Sequence, residues 1–96
     1  MAGNFSGKPY VDDYISDNVF IRTFDKNINS EELVWHRDYY DRTVFVLKNT
    51  TWMLQFDNNI PIKLTEGYSI RIPKLEYHRL IKGYGDLVLK IYEEKS

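Results

Sequence analysis

The 96-residue chain contains no cysteine. That excludes disulfide staples, thiolate zinc sites and a cysteine nucleophile. It also lacks a strong charge of either sign: 13 Lys and Arg against 14 Asp and Glu leave a net charge of −1 at neutral pH. A protein built to grip a phosphate backbone would be far more basic. No apolar run approaches the roughly 18 residues of a membrane-spanning helix, and residues 1–10 lack the apolar stretch of a signal peptide. A cytoplasmic protein without nucleic-acid or membrane partners is expected. Other chemical signatures are missing as well. There is no Gly-rich phosphate loop, no Gly-x-Ser-x-Gly elbow and no His-Glu-x-x-His helix. The glutamates at 31, 32, 66, 76, 93 and 94 all adjoin turns or ends, so a paired-carboxylate glycosidase finds no support.

What is present is the composition of one folded domain, 43% hydrophobic and 16% aromatic. Residues 1–18 are interrupted by Gly, Pro and Asp and are read as an N-terminal arm with one short strand or turn. From Val19 the text changes. Short β-rich runs cover Val19–Asp25, Glu32–Asp38, Arg42–Lys48, Thr51–Asp57, Ile60–Leu64, Tyr68–Pro73, Tyr77–Lys82 and Leu87–Glu93. Turn residues separate them at intervals typical of an all-β sandwich or barrel. Ile60, Ile62 and Leu64 share a face, as do Tyr68, Ile70 and Ile72, and Leu87, Leu89 and Ile91. Arg42–Lys48 is apolar on both faces, which predicts a strand covered on both sides. Useful helix-period stretches are absent. The fold class is all-β, with OB-fold and cupin barrels as the candidates.

The chain has two histidines, His36 and His78. On a strand, His36 and Asp38 point to the same side about 6.6 Å apart, so their side chains can converge on one cation. If His78 faces the same interior, two imidazoles and one carboxylate meet inside an apolar fold. Such a set holds Fe(II), and suits other divalent metals, while leaving coordination positions open. Each histidine alone is more often a hydrogen-bonded or exposed residue than a ligand.

The stretch from Gly67 to His78 resembles the second conserved motif of the cupin superfamily. That motif runs Gly, five residues, Pro, one residue, Gly, two residues, His, three residues, Asn. Gly67, Pro73 and His78 fall at the matching spacings, while Leu75 replaces the second Gly and Lys82 the Asn. The first cupin motif runs His, one residue, His, three or four residues, Glu, six residues, Gly. His36 matches its first His, Asp38 stands at the second, Arg42 at the Glu and Asn49 at the Gly. The resemblance spans about residues 32–92. It implies a small, single-domain cupin jelly roll, a double-stranded β-helix over residues 19–96, with a first motif that departs from the family's.

It further implies a mononuclear divalent metal (Fe, Mn, Ni or Zn) on His36, Asp38 and His78, with Asp41 the substitute carboxylate. Arg42 has two readings: a surface arginine paired with Asp38 or Asp41, or a clamp for an anionic ligand. Tyr40 and Gln55 are the other candidate ligand-binding residues, though edge cover or surface exposure suits them as well. Trp35 and Trp52 are read as core or interface aromatics. Three functions stay open. One is a metal-dependent oxygenase, isomerase or lyase acting on a small organic acid or sugar-like molecule. The second is a non-catalytic small-molecule-binding protein without metal, and the third a structural or sensory role. Exposed strand edges and 15 aromatics predict a homodimer in which the arm or first strand packs on the partner's sheet.

Overall fold

The structure, a computed structural model, describes residues 8–95. Eight strands carry it: β1 (Val11–Tyr14), β2 (Val19–Phe24), β3 (Asp41–Lys48), β4 (Met53–Phe56), β5 (Ile62–Lys63), β6 (Ser69–Ile72), β7 (His78–Ile81) and β8 (Leu87–Glu94). They form a five-stranded sheet in the order β1-β2-β8-β3-β6 and a three-stranded sheet in the order β5-β4-β7. Every pairing is antiparallel. No α-helix occurs among the described residues.

Strand alternation builds the core. In β8 every second residue faces inward, so Leu87, Leu89 and Ile91 are buried as their shared face requires. Phe20 and Phe24 of β2, Val44 and Val46 of β3, and Ile72 of β6 join them from the same sheet. Leu54 of β4, with Trp52 and Leu64, closes the core from the other sheet. Burying each such side chain contributes about 1.5–3 kcal/mol. Trp52 is a core residue, and its indole N–H donates to the Gly85 carbonyl at 3.0 Å.

The arm is partly strand. β1 pairs with β2 through a tight turn in which Ile15 and Ser16 both donate to the Val19 carbonyl. This puts Tyr14 against Phe20, with ring centroids 4.8 Å apart, and Tyr10 against Phe24 at 5.4 Å. Residues 1–7 of the arm, and Ser96, lie outside the described residues.

Three local expectations are corrected. The run Glu32–Asp38 is not a strand. Ser30–Glu32 forms a 3₁₀ turn capped by Asn29, whose side chain accepts from the Glu31 N–H at 2.9 Å. Side chains of this kind satisfy backbone groups locally and so compete with a ladder. Only a single bridge, His36 to His78, survives of the expected pairing. Second, β3 is covered on one face only: Val44 and Val46 are buried, but Phe45 is 42% and Leu47 49% exposed. Third, Ile60 is 82% exposed, because the Asp57–Asn59 turn, with Asn58 at φ 61°, ends β4 and β5 starts only at Ile62.

Candidate metal centre and cavity

Between the sheets lies a cavity of about 280 Å³. Its walls are mostly aliphatic, with Val44, Leu54, Ile72, Leu80, Leu89 and Ile91 among them. Arg22, Glu32, His36, Asp38, Arg42 and His78 supply its principal polar groups. A small apolar hollow with a few convergent polar groups is the usual form of a small-molecule site.

Backbone pairing brings the two histidines together. The His36 N–H donates to the His78 carbonyl at 3.0 Å, and the His78 N–H returns the bond to His36 at 2.8 Å. Directly opposed residues of an antiparallel pair project to the same side, and the imidazole centroids are 4.3 Å apart. Asp38 is set by a third bond, from the Leu75 N–H to the Asp38 carbonyl at 2.7 Å. Leu75 adopts φ 65° to make it, a left-handed conformation that a glycine accepts without strain. The sequence alignment of Leu75 with a motif glycine thus has a conformational basis.

One potential ligand atom from each of His36, Asp38 and His78 lies within 4.8 Å of the other two. His78 Nδ1 is 2.9 Å from the Glu76 carbonyl and His36 Nδ1 3.1 Å from the Val34 carbonyl. A carbonyl only accepts, so each Nδ1 carries a proton, which leaves Nε2 as the nitrogen that can ligate a metal when the ring is neutral. Metal-binding histidines are oriented by this kind of backbone bond. Burial pushes the His78 pKa below the ordinary histidine value, and the nearby His36 and Arg42 add to the effect. The Glu76 hydrogen bond and Asp38 oppose it. His78 is therefore neutral at pH 7, as ligation requires.

Asp38 completes the set. Its Oδ2 is buried without a hydrogen bond, although His78 Nε2 lies 3.4 Å away and Arg42 Nη1 3.3 Å away. A lone pair on nitrogen facing an unsatisfied carboxylate oxygen repels it unless a cation or proton stands between them. The donor set therefore fits a divalent metal.

The remaining sequence candidates are placed differently. Arg42 is mostly buried at the cavity edge, not on the surface, and its main partner is neither aspartate. Its Nε and Nη2 donate to Glu93 Oε2 at 2.9 and 2.5 Å. Asp41 is drawn away from the cluster: it accepts from the Lys74 N–H at 2.8 Å and pairs with Arg71 at 3.2 Å. Tyr40 is exposed beside Lys95 and does not line the cavity. Gln55 does not line it either: its amide bonds Arg79 and the Asn59 carbonyl. Trp35 lies exposed, with the Arg79 guanidinium over its ring at 4.7 Å.

Two residues escaped the sequence reading. Glu93 is buried because it continues the inward row Leu87, Leu89, Ile91. Arg22 sits on the inward face of β2 between Phe20 and Phe24. Both positions follow from period-two alternation, and a charge in phase with core residues was the available signal.

No family model and no curated protein matches the chain. Solved structures do. A cupin domain from Bordetella pertussis Tohama I superposes with a TM-score of 0.65 at 18% identity, covering 91% of this chain and 95% of that one. A cupin-2 domain protein from Shewanella frigidimarina gives 0.64 at 20% identity, covering 90% and 79%. The cobalt(II) form of HppE in complex with Tris gives 0.72 at 15% identity, covering 91% of this chain and 54% of that one. The chain thus spans about half the length of HppE. Identities this low show the fold alone: the chain shares with these cupin domains a jelly-roll architecture of two antiparallel sheets.

Proposed function

We propose that the protein binds one divalent metal ion through His36, Asp38 and His78 and acts on a small organic molecule in the adjoining cavity. The observation that carries this is the buried Asp38 Oδ2, without a hydrogen bond among the described residues, 3.4 Å from His78 Nε2 and grouped with a ring nitrogen of His36 within 4.8 Å. Support also comes from the fold. HppE, a structural neighbour, has been solved in Fe(II) and Co(II) forms. A metal held on three protein ligands supplies Lewis acidity at open coordination positions. The chain's own residues do the rest. His36 and His78 orient the site through their backbone bonds, Asp38 contributes the negative charge, and the aliphatic walls limit water. Elemental analysis of protein purified without chelator tests the reading. Near-stoichiometric Fe, Mn, Ni or Zn is expected, and loss of it in His78→Ala. Metal content unchanged by that substitution would place the metal elsewhere.

A second reading is a metal-free binding protein for a small organic acid or sugar-like molecule, favoured by Arg42 Nη1 standing 3.3 Å from Asp38 Oδ2. Thermal-shift screening of chelated protein separates the two, since a ligand that binds the native state raises its stability. For assembly, the reading is a cytoplasmic homodimer. Val11, Phe45 and Tyr92 stand exposed on the outer face of the five-stranded sheet, and β1 is an open edge. Light scattering at micromolar concentration tests it, and a particle of 11.5 kDa rejects it.

A further inference from the structure

The same construction occurs twice on the inner face of the five-stranded sheet. Arg22 stands directly opposite Asp12 across β1–β2, and Arg42 directly opposite Glu93 across β3–β8. In both pairs the carboxylate takes the Nε and Nη2 edge of the guanidinium. Asp12 accepts at 2.8 Å on each oxygen, and Glu93 accepts both bonds on Oε2. Each pair leaves Nη1 over. Arg42 Nη1 lies near Asp38, whereas Arg22 Nη1 has no hydrogen bond among the described residues.

Arg22 is also fixed in place. Its guanidinium carbon sits 3.6 Å from the centroid of the Tyr10 ring and 5.1 Å from that of Phe20. Its side chain is 11% exposed and lines the cavity. A donor already immobilised in this way loses little freedom when it meets a ligand. It is a donor on the cavity wall whose Nη1 bonds nothing among the described residues, so it is placed to meet a ligand there.

Charge narrows the ligand further, resting on the metal reading above. The Arg22–Asp12 and Arg42–Glu93 pairs are each neutral. A divalent ion on the two imidazoles and Asp38 would carry one net positive charge at that end of the cavity, and Glu32 is the further carboxylate in the lining, on an exposed residue. A ligand carboxylate meets the metal charge as well as the Arg22 N–H, a charge-assisted contact that a neutral amide cannot make. The volume, about 280 Å³, equals about nine waters at their liquid share.

We infer that Arg22 is a ligand-binding residue and that the cavity takes small aliphatic monocarboxylates, the carboxylate accepting a hydrogen bond from Arg22 Nη1 and the body lying on the aliphatic walls. The class includes short 2-hydroxy acids, whose hydroxyl can face the His36, Asp38 and His78 end.

The test uses the full chain loaded with zinc and titrated by calorimetry with 2-hydroxy acids of three to six carbons and with their neutral amides. The acids bind at least tenfold more tightly than the amides. In the Arg22→Met/Asp12→Asn variant, which removes both charges together, that preference falls at least tenfold while zinc stoichiometry stays the same. Equal binding of acid and amide to the unmodified protein overturns the inference without relying on any variant, as does absence of binding by every acid. An unchanged preference in a folded variant also overturns it. Zinc content is read on the same samples. Zinc uptake without an acid preference removes the Arg22 site alone. A protein that takes up no zinc, yet prefers acids through Arg22, keeps that site and removes the metal reading.

Discussion

Replacing Arg42 by Met probes the buried ion-pair network at the cavity edge. Arg42 donates two bonds to Glu93 Oε2, and both side chains are almost fully enclosed, at 13% and 11% exposure. Without the guanidinium, the partner left to the Glu93 side chain among the described residues is Lys95, 3.7 Å from Oε1 and itself well exposed. Stranding one member of a buried pair costs about 3–5 kcal/mol, and the remaining lysine places this case near about 3 kcal/mol. For a domain of this size each kcal/mol moves the melting temperature by about 4–8 °C, so the variant melts about 12–24 °C lower. Glu93→Gln is milder, about 1–2 kcal/mol. Its amide oxygen still accepts from Arg42, which also keeps Asp38 at 3.3 Å. The double variant Arg42→Met/Glu93→Leu recovers most of the loss, because an apolar pair leaves no charge on Glu93's side unpaired. Chelated protein unfolded by urea and by heat supplies the comparison. An Arg42→Met variant melting within about 4 °C of the parent, or a double variant no more stable than Arg42→Met, would refute the reasoning.

Gly83→Ala drives a Cβ into the backbone at Trp52 N and Thr51 C, atoms that cannot swing aside. It should cost at least the upper part of the ~1–3 kcal/mol typical of overpacking, read from urea midpoints. Leu75→Gly relieves a left-handed residue, worth roughly 1–2 kcal/mol less the roughly 0.5–1 kcal/mol entropy cost of glycine. A small gain in melting temperature is expected there and a loss in Leu75→Val. For pH, His78 has a folded-state pKa below its unfolded value, burial being the main cause. As pH falls through about 6.5 the unfolded chain takes up a proton that the native state refuses. Stability of the metal-free protein should therefore decline below about pH 6.5, with a slope of at most about 1.4 kcal/mol per pH unit for this group, and level off once the folded His78 also protonates. A His78→Asn variant with the same acid slope would assign the effect to other groups.

The sequence by itself determined the all-β class, because period-two alternation is a local property that each strand states alone. Leu87, Leu89 and Ile91 reached the core as one face, and the spacing of Gly67, Pro73 and His78 carried the cupin resemblance that the superposed structures bear out. His36, Asp38 and His78 were also legible as possible partners, since they are the two histidines and the carboxylate in phase with one of them. What only the tertiary structure decided were relations between distant segments. His36 is placed by a single bridge to His78 and not by a strand of its own, because the Asn29-capped turn consumes the start of the expected run. Arg42 could not be assigned from its neighbours in sequence, since its main partner, Glu93, lies 51 residues away on β8. Arg22 was not singled out from the sequence; what marks it is β1, which folds Asp12 and Tyr10 against it. Local pattern fixes which face a side chain takes. Which charge it meets there depends on strand order, and strand order comes from burying all the faces at once.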